Sequence, residues 1–153
     1  MTGKNIISDY LSQTELDKIS ELIYNYELKT SGELRLCVKK KRGYFEKDFS
    51  PRDLAINEFF KLKMNETSDG TGVLFFIIFD EHKFEIIADK GINAKIPDEK
   101  WNDFSEGIKE RFSGGKYYEG IVYMINSVGD ILIHEFPVKT DDKNELSNEI
   151  VIN

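Results

Sequence analysis

Residues Val73-Leu74-Phe75-Phe76-Ile77-Ile78-Phe79 form seven consecutive apolar side chains, rich in β-branched and aromatic types. Such a run reads as a β-strand, and strand alternation sends its side chains to both faces of a sheet. Neither face tolerates water, so both must be covered and the strand must be central. Asp80-Glu81-His82-Lys83 leaves room only for a tight turn, after which Phe84 to Ala88 returns as an antiparallel partner. Leu34-Arg35-Leu36-Cys37-Val38 is another short apolar run, ended by Lys39-Lys40-Lys41-Arg42-Gly43.

The covering layers are helical. Ser12-Gln13-Thr14-Glu15 has capping-box spacing, and Leu16, Ile19, Leu22, Ile23 and Tyr26 follow as one apolar stripe, stopped before Thr30-Ser31-Gly32. Ser50-Pro51-Arg52-Asp53 starts a second helix, expected to run through Leu54, Phe59, Phe60 and Met64. A third opens at Pro97-Asp98 and carries Trp101, Phe104, Ile108 and Phe112; a fourth starts near Tyr117 and turns Tyr118, Ile121, Val122, Ile125, Val128 and Leu132 inward. Gly107 and Gly129 fall inside these helices at a cost of about 1 kcal/mol each relative to Ala, which predicts close helix–sheet contact. The order α-β-α-β-β-α-α, with a right-handed crossover between the first two strands, predicts an α/β fold: a three-layer α/β/α sandwich on a small mixed sheet. Residues 1–137 form one domain. Residues 138–153 read as a polar, mobile tail in which Ile150-Val151-Ile152 offers an edge strand or a partner-binding segment.

Composition narrows the function classes. The 153 residues carry 21 Lys and Arg against 28 Asp and Glu, a formal net charge of −7. That balance argues against a nucleic-acid partner, which needs clustered cations. One cysteine, Cys37, and two histidines, His82 and His134, exclude an internal disulfide and the multi-cysteine and three-histidine zinc sites. No apolar run approaches the length of a membrane span, and the N-terminus lacks a signal-peptide pattern. The expected location is the cytoplasm, with no membrane partner and nothing that fixes an oligomeric state.

Topology then picks out one rim of the sheet. The starts of the two parallel strands and the end of their antiparallel neighbour lie together, which brings Glu33, Asp69 and Asp89 towards one edge, with Asp98 at the next helix start. Hard cations such as calcium take six to eight oxygens from carboxylates, carbonyls and water, and glycine-rich loops such as Asp69-Gly70-Thr71-Gly72 can present carbonyls. Each acid also has an ordinary reading: Asp69 as a turn residue, Asp98 as a helix cap, Glu33 as a surface partner of Arg35 or Lys90. The opposite rim holds Lys39 to Arg42 with Asp80, Glu81 and His82. A cation run there could bind an anion, but such runs usually mark solvated strand ends. Cys37 alternates within a strand as a small core residue, and Trp101 sits at core spacing. Nothing supports acyl-transfer or thiol chemistry.

Several ordered blocks resemble the TPM domain, named for a plant thylakoid-lumen protein, a photosystem II repair protein and a worm receptor modulator. They are Thr30-Ser31-Gly32-Glu33-Leu34-Arg35, Gly72-Val73-Leu74, Ile87-Ala88-Asp89-Lys90-Gly91-Ile92-Asn93 and Ile96-Pro97-Asp98 with Trp101. Phe112, Tyr117 to Gly120 and Phe136-Pro137 continue the pattern. The resemblance covers roughly residues 11–137, and this chain looks like the short, unanchored, cytoplasmic bacterial kind. It implies the same sandwich and, in some members, a divalent cation, calcium by preference or magnesium. The carry-over falls on Glu33, Asp89, Gly91 and Asp98. The family has Asn before Gly-Val-Leu where this chain has Thr71, so Asp69 rests on geometry. Two functions follow from the resemblance: a cation-binding interaction or regulatory module with a protein partner, or a metal-assisted acid phosphatase on phosphomonoesters in which Lys90 or Arg35 offsets developing charge.

Overall fold

In the computed structural model, which describes residues 6–138 and 150–153, the sheet has four strands in the order β3-β2-β1-β4. They are β1 (Glu33–Lys39), β2 (Gly72–Ile78), β3 (Lys83–Ala88) and β4 (Val151–Ile152). β1 runs parallel to β2 and to β4, whereas β2 and β3 are antiparallel. Every residue of β2 is buried. Val73, Phe75 and Ile77 join one apolar cluster, while Leu74, Phe76 and Ile78 join another on the opposite face.

The helices sort between those faces. α1 (Gln13–Glu27), α4 (Asp98–Ser113) and α5 (Tyr117–Glu135) supply the first cluster; α2 (Pro51–Lys61) supplies the second through Leu54, Ala55 and Phe59. A short α3 (Lys90–Asn93) follows β3 and places Ile92 in the first cluster. The α/β/α sandwich expected from the sequence is therefore the fold.

Local chemistry accounts for the helix starts. The Glu15 amide donates to Ser12 Oγ at 3.1 Å and the Ser12 amide to Glu15 Oε1 at 2.9 Å, a complete capping box that satisfies two otherwise free donors. Ser50 Oγ accepts from the Asp53 amide at 3.1 Å, with Pro51 at the first helical position.

Three expectations change. α2 stops at Lys61 because Lys63 adopts a left-handed φ of 60°, so Met64 is buried from a separate turn. Gly107 and Gly129 make helix–helix rather than helix–sheet contacts: a Cβ there would overlap the rings of Tyr123 on α5 and Tyr26 on α1. Pro97, not Asp98, occupies the cap of α4, and Asp98 is its first helical residue. The end of the tail forms the edge strand that Ile150-Val151-Ile152 offered. Val151 pairs with Cys37 and Ile152 with Val38, covering the edge of β1 with two β-branched residues. The rest of that tail, 139–149, lies outside the described residues.

Two measurements test this packing. Phe75 is fully buried, with Phe84 and Phe112 rings 5.8 and 6.4 Å away, whereas Phe60 is 56% exposed. Urea unfolding should show Phe75→Ala destabilised by about 3–5 kcal/mol, and Phe60→Ala changed by no more than about 0.5 kcal/mol. Burial, with Glu58 adding to it, pushes the Cys37 thiol from 9.0 up to about 12. The folded chain holds that proton more tightly than the unfolded chain, so this contribution to stability is complete below pH 9.0 and is lost between there and about 12. Cys37 should resist an aromatic disulfide reagent at pH 8 and react fully once urea unfolds the chain.

Candidate functional site

The rim is built from three connections, each tied by backbone hydrogen bonds. The Glu33 amide donates to the Thr71 carbonyl at 3.3 Å, the Asp89 amide to the Gly72 carbonyl at 2.9 Å, and the Ile92 amide to the Gly70 carbonyl at 3.1 Å. The segment leading into β2 is thus held on one side by the start of β1 and on the other by the segment leaving β3. Contact with the latter is close: a Cβ at Gly91 would overlap the carbonyl oxygen of Asp69 and lie 2.7 Å from that of Gly70. Only glycine at 91 lets these two backbones meet.

Register fixes which side chains share a face. Glu33 pairs with Gly72, and the Asp89 amide reaches the same residue from β3. Glu33 alternates with Cys37, which packs on the α2 side. Glu33 and Asp89 therefore flank Gly72 across the sheet, two strand spacings or roughly 10 Å apart at the backbone. Glu33 is buried, 4% exposed, and Asp89 is half-buried, its Oδ1 accepting from the Lys90 amide at 2.8 Å. Asp69 is exposed in the preceding loop.

Thr71 is 1% exposed. Its amide is satisfied by Thr67 Oγ1 at 3.0 Å and its carbonyl by Glu33. Its own Oγ1 is buried without a hydrogen-bond partner among the described residues. Nothing in the sequence marked Thr71 as buried; its place directly before an all-apolar strand is the only signal that could have done so.

Asp98 lies elsewhere. It lines a groove beside β3 with Asn93 and Trp101, on the face covered by α4 and α5. Trp101 is half-buried rather than enclosed, and its indole N–H donates to Asn93 Oδ1 at 3.0 Å. The structure thus brings the segments bearing Glu33, Asp69 and Asp89 together and leaves Asp98 on the other face. Among the described residues, no three His, Cys, Asp or Glu side chains converge as a metal-binding group. The donors this rim offers are nonetheless all oxygens: two carboxylates beside Gly72, the Asp69 and Gly70 carbonyls, and the Thr71 hydroxyl. That chemistry suits a hard cation, with water completing the shell.

At the far end, two cations of the run Lys39 to Arg42 are closely held by carboxylates. Arg42 makes a two-pronged contact with Glu81 at 2.6 and 3.0 Å, and Lys39 pairs with Glu46 at 2.9 Å. Tyr10 donates to Asp80 Oδ1 at 2.6 Å, and that bond to a carboxylate pushes its phenol up to about 12. The charge run reads as a tied strand end.

Comparison with known proteins identifies the fold and the family. The chain is similar to the BA42 protein of the psychrophilic bacterium Bizionia argentinensis, solved by NMR, with 31% identity over all of both chains and a TM-score of 0.83. It shares its fold with the N-terminal domain of the cg2496 protein from Corynebacterium glutamicum, at 9% identity over 78% of this chain and 70% of that one, with a TM-score of 0.52. No curated protein matches. No helix among the described residues is long and apolar enough to cross a membrane. The family model for the TPM domain matches residues 7–131, and the chain belongs to that family.

Proposed function

We propose that this TPM domain binds a divalent cation, calcium in preference to magnesium, at the Glu33–Asp69–Asp89 rim and acts as an interaction or regulatory module. The observation that carries the reading is the buried, unpartnered hydroxyl of Thr71, set among connections whose other groups are carboxylates and carbonyls. A buried polar atom left without a partner calls for water or an ion. Calcium is favoured over magnesium because it accepts an irregular shell of carbonyls, carboxylates and water, whereas magnesium demands near-octahedral ligands. With few carboxylates, binding belongs to the weak class, on the order of 0.1–1 mM. Glu33 and Asp89 supply the charge and the Asp69–Gly70 carbonyls the neutral oxygens.

The ion's chemistry here is charge neutralisation, which lets connections that carry several acids stay close. A phosphatase would also need a placed nucleophile or water and an anion-binding group. The module reading is preferred because it asks only for the oxygen donors.

Calcium titration of the chain, followed by calorimetry and backbone NMR, is the test. Saturable amide shifts should centre on Glu33, Gly70 to Gly72 and Asp89, and magnesium should compete poorly. Asp89→Asn should weaken binding by about tenfold or more while the spectrum stays folded. No heat and no shifts in these segments at millimolar calcium would end the proposal. Steady aryl-phosphate turnover lost in Asp89→Asn would move the assignment to the phosphatase.

A further inference from the structure

β4 is a strand that the chain lays on its own sheet. Val151 and Ile152 pair with Cys37 and Val38, and the Asn153 amide donates to the Val38 carbonyl at 3.1 Å. Ile150 packs against the apolar cluster of one face and Val151 against that of the other. Two residue pairs hold this strap, whereas seven join β1 to β2. So short an edge segment opens at far lower free energy than the sheet it covers.

The seat beneath the strap is more specific than an edge requires. Glu58 on α2 is 7% exposed, and its Oε1 accepts from Asn153 Nδ2 at 3.1 Å. The same nitrogen lies 3.4 Å from Sγ of the fully buried Cys37. Two acceptors face one nitrogen, so the position after the β-branched pair is read as a side-chain amide. An aliphatic residue there would leave the Glu58 carboxylate without that donor.

Beyond Asn153 the groove continues as a cavity of about 450 Å³. Its walls are Lys39 at the end of β1, held by Glu46, then Phe49, and Leu54, Asn57 and Lys61 of α2. Residues 150–153 fill only part of the groove between β1 and α2. A strand that runs past the amide position meets walls the strap leaves open, which gives it an advantage over the strap.

We propose that this groove is a strand-binding site, which residues 150–153 occupy as an autoinhibitory strap. Its partner is an extended segment of another protein with the chemistry of the strap: two β-branched residues, then a side-chain amide, then residues that enter the cavity. Such a segment displaces the strap and adds to β1 in parallel. The site gives the interaction module its contact surface; it rests on that part of the proposed function and not on the cation.

The full chain with Val151→Asp and Ile152→Asp frees the groove, because a carboxylate at 151 is costly against the apolar cluster of the α2 face. The probe is a synthetic peptide with the sequence of residues 148–153, Asn-Glu-Ile-Val-Ile-Asn, followed by backbone NMR. EDTA is present, so the outcome does not depend on calcium. The amides of Cys37, Val38 and Glu58 should shift saturably in the variant at millimolar peptide. The unaltered chain should need about tenfold more, since the tethered strap competes at an effective concentration in the millimolar range. Replacing the last Asn of the peptide by Leu should weaken binding about tenfold. A peptide lengthened by Ala-Leu should bind more tightly and also shift Phe49 and Leu54. If the double variant does not fold, Asn153→Leu in the full chain loosens the strap and takes its place. No shifts in the freed chain, equal binding by the unaltered chain, or indifference to the Asn would overturn the proposal. So would a dimer of the unaltered chain formed through β1, which would make a second copy the occupant.

Discussion

Everything in this structure is arranged around a strand that cannot touch water. β2 is buried along its whole length, with side chains packed alternately against three helices and against one. This demand fixes its central place and requires cover on both faces. It also forces the segment entering it to pass between the ends of β1 and β3. The crowding of Gly70 and Gly72 against Gly91, Met64 and the start of β1 follows from threading that segment through a gap between two neighbours. The rim that gathers Glu33, Asp69 and Asp89 is thus a consequence of how the core is covered.

Much of this was legible in the sequence because it depends on local pattern. The apolar run Val73–Phe79, the capping box at Ser12 and the Ser50-Pro51 start each carry their own physical reason, and each forms where expected. What escaped depends on distant contacts. Gly107 and Gly129 announce close approach, but only the assembled helices show that the approaching groups are tyrosine rings. Asp98 reads as a cap until Pro97 is seen to hold that position.

The candidate site divides in the same way. Strand order alone was enough to bring Glu33, Asp69 and Asp89 to one end of the sheet. It could not place Asp98, because the face on which α4 starts depends on packing against β3 and α5. Nor could it find Thr71, whose hydroxyl is unremarkable in sequence and becomes informative only when buried without a partner.

The most direct measurement is a crystal structure grown with calcium, with the ion located by anomalous scattering. The account predicts an ion beside Gly72, contacted by the Glu33 or Asp89 carboxylate and by carbonyl oxygen from Asp69 or Gly70. An ion held elsewhere, or a rim in which Glu33 and Asp89 are engaged by neighbouring cations at saturating calcium, would contradict it.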